Sequence, residues 1–150
     1  MNGKLQPDYF GKKPVRESLD EEPYVDYEEP DTDRYGTIRW YNEDGELHRE
    51  DGPAVEDADG GKEWYINGNR HREDGPAVDW PDGTKSWWIN GERHREDGPA
   101  AEYADGTKVW FLNGECHRED GPAAEYADGT KVWFLNGERQ PDYFGKKQNN

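Results

Sequence analysis

The chain has 150 residues, only 30% of them hydrophobic, and 35 acids against 19 bases leave a formal charge of −16. That composition excludes a thick globular core, and it excludes direct binding to nucleic acid or to an anionic membrane, both of which require a basic surface. A basic protein partner, or a protein that itself grips nucleic acid, is attracted over distance instead.

Residues 1–34 come first, as a cap-like segment followed by an acidic linker. Asn2 to Lys13 matches Asn136 to Lys147 at ten of twelve positions, and residues 17–33 carry nine acids and two prolines without helical or strand periodicity. Residues 35–140 are a tandem array. The tetrapeptide His-Arg-Glu-Asp, always followed by Gly-Pro-Ala, begins at His48, His71, His94 and His117, a period of 23 residues. Glu96 to Glu115 and Glu119 to Glu138 are identical at all twenty positions. Fixed periods of this length signal a repeat architecture. The first repeat is one residue longer, at Asn42-Glu43-Asp44-Gly45. Residues 141–150 close the chain as a cap or tail, with Gln140 where a further repeat would place His.

Within a repeat, Asp105-Gly106 and Asn113-Gly114 are both read as two-residue type I′ hairpin turns. Counting from them sets Trp110 opposite Ala101 on one side and opposite His117 on the other. Alternation then gives a core face of Ala101, Tyr103, Trp110, Leu112 and His117, matched by Val78, Trp80, Trp87, Ile89 and His94 and by Val55, Trp64, Ile66 and His71. The opposite face holds Glu102, Val109, Phe111, Cys116 and Arg118. Val109 is replaced by Ser86 and Glu63 in other repeats, which suggests a solvated position. The Glu-Asp-Gly-Pro step kinks the chain between hairpins. The fold class is therefore all-β, an extended antiparallel sheet of tandem β-hairpins with about two strands per repeat.

The repeat-locked residues His48, His71, His94 and His117, together with Trp64, Trp87, Trp110 and Trp133, read as structural. Equivalent histidines lie two strands, about 9 to 10 Å, apart. That is too far for two of them to share a zinc ion, so no metal and no cofactor is expected. The recurring Glu-Asp pairs beside Gly-Pro read as turn-capping groups rather than an acid/base pair, and the Arg of each tetrapeptide is expected to pair with a neighbouring acid. A weaker alternative makes Arg72, Arg95 and Arg118 an anion-binding ladder. The partner-binding candidates are Tyr65, Trp88, Phe111 and Phe134, flanked by Arg70 and Arg93: aromatic residues and Arg are what protein interfaces favour. The same rings would also suit packing against another layer or subunit, or stacking on carbohydrate.

With its 23-residue period and its Asn-Gly and Asp-Gly punctuation, residues 35–139 resemble a MORN-type repeat. The variant they look most like is the His-Arg-x-Asp-Gly-Pro-Ala repeat of uncharacterised proteins of bacteriophages and large DNA viruses. Trp110 placed three residues before Asn113, and Arg-Glu-Asp inserted between His and Gly, depart from the general pattern. The resemblance implies a non-enzymatic binding protein on an extended sheet, and a phage origin implies a host target, with inhibition of a host defence protein as the expectation. The rival readings are a DNA mimic filling a nucleic-acid-binding groove, and a sponge for small nucleotide ligands. No nucleophile and base set suggests an enzyme. Cys116 stands alone, which fits a reducing, cytoplasmic compartment, the host's if the chain is phage-encoded. The duplicated end segments and the open sheet edge beside them suggest a homodimer.

Overall fold

The computed structural model describes residues 29–141. The described residues are all-β, and none of them forms a helix long and apolar enough to cross a membrane. The expectations for the duplicated end segments and for most of the acidic linker fall outside the described residues. The described residues divide into two compact units that meet between Asn69 and Arg70 in the chain.

The first unit contributes β1 (Asp31–Thr32), β2 (Ile38–Arg39), β3 (Val55–Glu56) and β4 (Lys62–Glu63), each antiparallel to the next. The sheet thus starts inside the segment read as an acidic linker. A hairpin at Asp33-Arg34-Tyr35-Gly36-Thr37 accounts for this, closed by Asp33 N–H on the Thr37 carbonyl at 3.0 Å and by Gly36 in the left-handed region. β5 (Tyr65–Ile66) follows, and β6 (Asn69–Arg70) lies at the boundary of the units.

In the second unit β7 (Val78–Asp79) and β8 (Lys85–Ser86) form the first main-sheet pair; β9 (Trp88–Ile89) and β10 (Glu92–Arg93) then make a small separate hairpin. The next repeat does the same with β11 (Ala101–Glu102), β12 (Lys108–Val109), β13 (Phe111–Leu112) and β14 (Glu115–Cys116). The last supplies β15 (Ala124–Glu125), β16 (Lys131–Leu135) and β17 (Glu138–Gln140). Two strands per repeat enter the main antiparallel sheet; the Asn-Gly hairpins β9–β10 and β13–β14 are separate two-stranded sheets, whereas in the last repeat β16 runs on into its hairpin and carries β17 with it.

The two kinds of turn differ, and the difference overturns half of the expected register. Asn113 and Gly114 both have positive φ, 51° and 84°, so this is the two-residue type I′ turn, with Phe111 opposite Cys116. At Asp105-Gly106 only Gly106 is left-handed, at 95°. Gly106 N–H bonds the Tyr103 carbonyl and Tyr103 N–H bonds the Thr107 carbonyl, both at 2.9 Å. That is a three-residue loop ending in a bulge, and it shifts pairing by one residue. Ala101 therefore faces Val109 rather than Trp110.

A one-residue slip changes the face of every residue beyond it. Val78, Ser86, Ala101, Val109, Ala124 and Val132 stand opposite one another in successive strands and make the apolar row. Ser86, expected at a solvated position, is only 7% exposed there. The alternate row is Asp79, Lys85, Glu102, Lys108, Glu125 and Lys131, acid against lysine at each step, and cross-strand pairs of opposite charge each add roughly 0.2 to 1 kcal/mol. Tyr103, assigned to the core from the sequence, is exposed.

The buried apolar set is small: Ala54, Val55, Ala77, Val78, Ala100, Ala101, Ala123 and Ala124. Trp64, Trp87, Trp110 and Trp133, expected as a buried ladder, are half-buried. Guanidinium groups cover their counterparts along the array: Arg49 lies 3.8 Å from the ring centre of Trp40, Arg95 3.8 Å from that of Trp87, and Arg118 3.9 Å from that of Trp110. Each Arg is held in turn. Arg118 donates from Nη1 to the Pro122 carbonyl at 3.0 Å and to Glu125 at 3.2 Å, and from Nε to Asp120 at 3.1 Å. The Gly of Gly-Pro-Ala leaves room for this clasp, because a Cβ on Gly121 would sit 3.0 Å from Arg118 Cζ. Its role is space, not an unusual backbone angle.

Candidate protein-binding face

The small hairpins stack on one another through their turns. Gly91 N–H bonds the Arg70 carbonyl at 2.9 Å, Gly114 N–H the Arg93 carbonyl at 2.8 Å, and Gly137 N–H the Cys116 carbonyl at 2.8 Å. Each histidine adds a second link. Nδ1 of His71, His94 and His117 accepts the N–H of Asn90, Asn113 and Asn136, the left-handed residue of the next turn, at 2.9 to 3.0 Å. His48 does the same for Asn67 within the first unit, at 2.9 Å. An accepting Nδ1 fixes the proton on Nε2, which faces Glu50, Glu73, Glu96 or Glu119 at 3.1 to 3.3 Å. Both ring nitrogens of every histidine are thereby engaged, and no group of three metal-ligating side chains occurs among the described residues.

Stacked this way, the hairpins of the second unit bring five of the sequence-selected residues into one row. Arg70 lies 5.2 Å from the Trp88 ring centre, and Arg93 sits between Trp88 at 5.0 Å and Phe111 at 5.3 Å. Phe111 is paired with Cys116, and Phe134 with Arg139, so rings alternate with cationic or small side chains. Trp88 is fixed by its Nε1–H on Ser86 Oγ at 2.7 Å. Tyr65 occupies the equivalent strand position in the first unit, its hydroxyl 3.5 Å from Glu63 Oε2. All of these rings are half-buried.

Arg93 Nε is buried with no hydrogen-bond partner, a donor held by the two rings rather than by an acceptor. Burial pushes the Cys116 thiol up, so at neutral pH it is a small apolar group in the row. What such a surface presents is π faces and guanidinium edges, fixed in position.

The three arginines read as an anion-binding ladder, Arg72, Arg95 and Arg118, are hydrogen-bonded within their own repeats. Arg72 donates to Asp74 at 3.1 Å and to the Pro76 carbonyl at 3.0 Å; Arg95 donates to Asp97, Pro99 and Glu102; Arg118 repeats the pattern. Their forks point into the clasp instead of lining an anion site. The tetrapeptide Asp, expected to cap its own turn, accepts from Arg Nε and stays almost fully solvated. The sequence reading missed the exposed aromatics at the Asp-Gly turns, Tyr103 and Tyr126, because it assumed the wrong loop length. Period-23 recurrence of an aromatic two residues before Asp-Gly was the available signal.

No protein-family model, no curated protein and no solved structure matches this chain.

Proposed function

We propose that this chain is a non-enzymatic protein-binding repeat module, an inhibitor of a host protein encoded by a phage, that uses its acidic, aromatic-bearing sheet surface as the contact. The observation that carries the binding reading is the ordered row from Arg70 through Trp88, Arg93 and Phe111 to Phe134, in which a guanidinium is clamped between two rings without an acceptor for its Nε. The viral origin, the host target and membership among MORN-type repeats rest on the sequence resemblance alone. A homodimer formed through the open sheet edge accompanies this reading.

The test is a side-by-side capture from host lysate with wild type and a Trp88→Ala/Phe111→Ala variant. One protein retained by wild type as salt rises from about 0.1 to about 1 M, and lost by the variant, is the expected result. Equal retention by both removes the aromatic row from the function.

A second reading, mimicry of DNA, is favoured by one observation: every tetrapeptide presents its Glu and Asp side chains 79 to 88% exposed. A mimic loses its partner steeply with salt and competes with duplex DNA. The same salt series separates the two.

A further inference from the structure

The Asp-Gly turns of the second unit form a ledge distinct from the hairpin row. The loops Trp80 to Thr84, Tyr103 to Thr107 and Tyr126 to Thr130 have one hydrogen-bond pattern, each closed at 2.8 to 2.9 Å between the aromatic N–H and the Thr carbonyl. Threonine hydroxyls tie successive turns together: Thr84 Oγ1 accepts the Ala104 N–H, and Thr107 Oγ1 the Ala127 N–H, each at 3.1 Å. Pro81 has no N–H at the place of Ala104 and Ala127, so the ledge begins there.

Each turn opens with an aromatic and carries an acid two residues on. Tyr103 is 38% and Tyr126 44% exposed, the most exposed large apolar side chains among the described residues after Tyr35, and Trp80 is half-buried. Asp82, Asp105 and Asp128 accept the N–H of Thr84, Thr107 and Thr130 through Oδ1 at 2.8 to 2.9 Å, which fixes three exposed carboxylates beside the rings. Those bonds hold the carboxyls of Asp105 and Asp128 below their ordinary value, so both remain anionic.

We propose that this ledge docks a cationic polyproline-II segment of a partner protein, with Arg or Lys at every third residue seated between a ring and its neighbouring carboxylate. Spacing selects the conformation. Equivalent turns are two strands apart, about 9 to 10 Å. A polyproline-II chain returns to the same face every three residues, about 9.3 Å. A β-strand returns after two residues, about 6.6 Å, or after four, about 13 Å, and misses the next turn either way. Charge selects the sign. Ring faces and carboxylates both attract cations, and the net charge of −16 draws a basic segment toward the surface. Proline in the intervening positions meets exposed aromatics, as in other grooves that recognise polyproline-II.

The proposal shares the premise of a protein-binding module but uses none of the hairpin rings. Binding of a nine-residue peptide of three Pro-Pro-Arg units to the full chain, followed by calorimetry, tests it directly. Saturable binding is expected, weakened about five- to tenfold by Tyr103→Ala/Tyr126→Ala and by Asp105→Asn/Asp128→Asn. Tyr103→Phe/Tyr126→Phe keeps the rings and retains most of the affinity, while Trp88→Ala/Phe111→Ala leaves it unchanged. Both tyrosines are partly exposed, so the alanine variant is expected to stay folded with a lowered melting temperature, and the phenylalanine pair, which keeps the packing, separates loss of the rings from loss of stability. A peptide of equal charge with Arg at every second residue should bind at least several-fold more weakly. Equal affinity for the two spacings, no effect of the tyrosine pair, or no saturable binding overturns the proposal without touching the lysate result for the hairpin row.

Discussion

The two units carry the same clasp and different rows. In the first unit Arg49 covers Trp40, donates to the Pro53 carbonyl at 3.1 Å and reaches Glu56 at 3.3 Å, as Arg118 does with Trp110, Pro122 and Glu125 in the second. The row that reads Val78, Ser86, Ala101, Val109, Ala124 and Val132 in the second unit reads Asp31, Arg39, Val55 and Glu63 in the first. Asp57 likewise takes the place of Trp80, Tyr103 and Tyr126 in its turn. The clasp is thus the invariant that makes a repeat fold, and the turn edge and apolar row are where repeats differ.

Removing the clasp ring is expected to have the largest effect, and the same effect in both units. Trp110→Ala and Trp40→Ala should each cost about 2 to 3 kcal/mol, less than the roughly 3 to 5 of a fully enclosed aromatic because these rings are half-buried. Denaturant melts of the two variants check it. A loss confined to Trp110→Ala would show that the first unit does not depend on its clasp.

Exchanging residues between the rows sharpens the contrast. Ser86→Glu brings a charge into a position 7% exposed and removes the acceptor of Trp88 Nε1–H, for an expected loss of about 2 kcal/mol. The converse, Glu63→Val, puts a β-branched residue at the matching site of the first unit and is expected to gain up to about 1 kcal/mol. If both changes destabilise equally, the first unit's charged row is as well adapted as the apolar one.

The smallest effect is the response to acid, and it has opposite signs. Burial raises the Asp31 and Asp57 carboxyls in the first unit, so their anions are penalised at neutral pH, and the penalty is lifted as pH falls through their folded values, above the ordinary value near 3.9. Asp105 and Asp128 in the second unit are lowered by bonds from Thr107 and Thr130, so their contribution is complete above about 3.9 and fades below it. Asp33, lowered by Arg39, offsets part of the gain in the first unit. Amide exchange at Arg39 and Val109, corrected for its intrinsic pH dependence, should show protection rising in the first unit as pH falls toward about 3.9 and falling in the second below about 3.9. Parallel curves would contradict this assignment.

The sequence by itself determined the period, the all-β class, the Asn-Gly turns and the pairing of Trp110 with His117, because two successive left-handed residues admit one hairpin geometry. It also marked the Arg and acid partners and the hairpin row of Trp88, Arg93 and Phe111. It misread the Asp-Gly turn as a two-residue loop, since a glycine after Asp serves a two-residue loop and a three-residue bulged loop equally well. The choice depended on whether Thr84 and Thr107 could bond the next turn and whether Ala101 could pack against Ser86 and Val109, contacts that cross from one repeat to another. Only the tertiary structure supplied them. That single residue of register put the alanines inside, left the Trp rings half-covered by arginine, and turned Tyr103 and Tyr126 out to solvent.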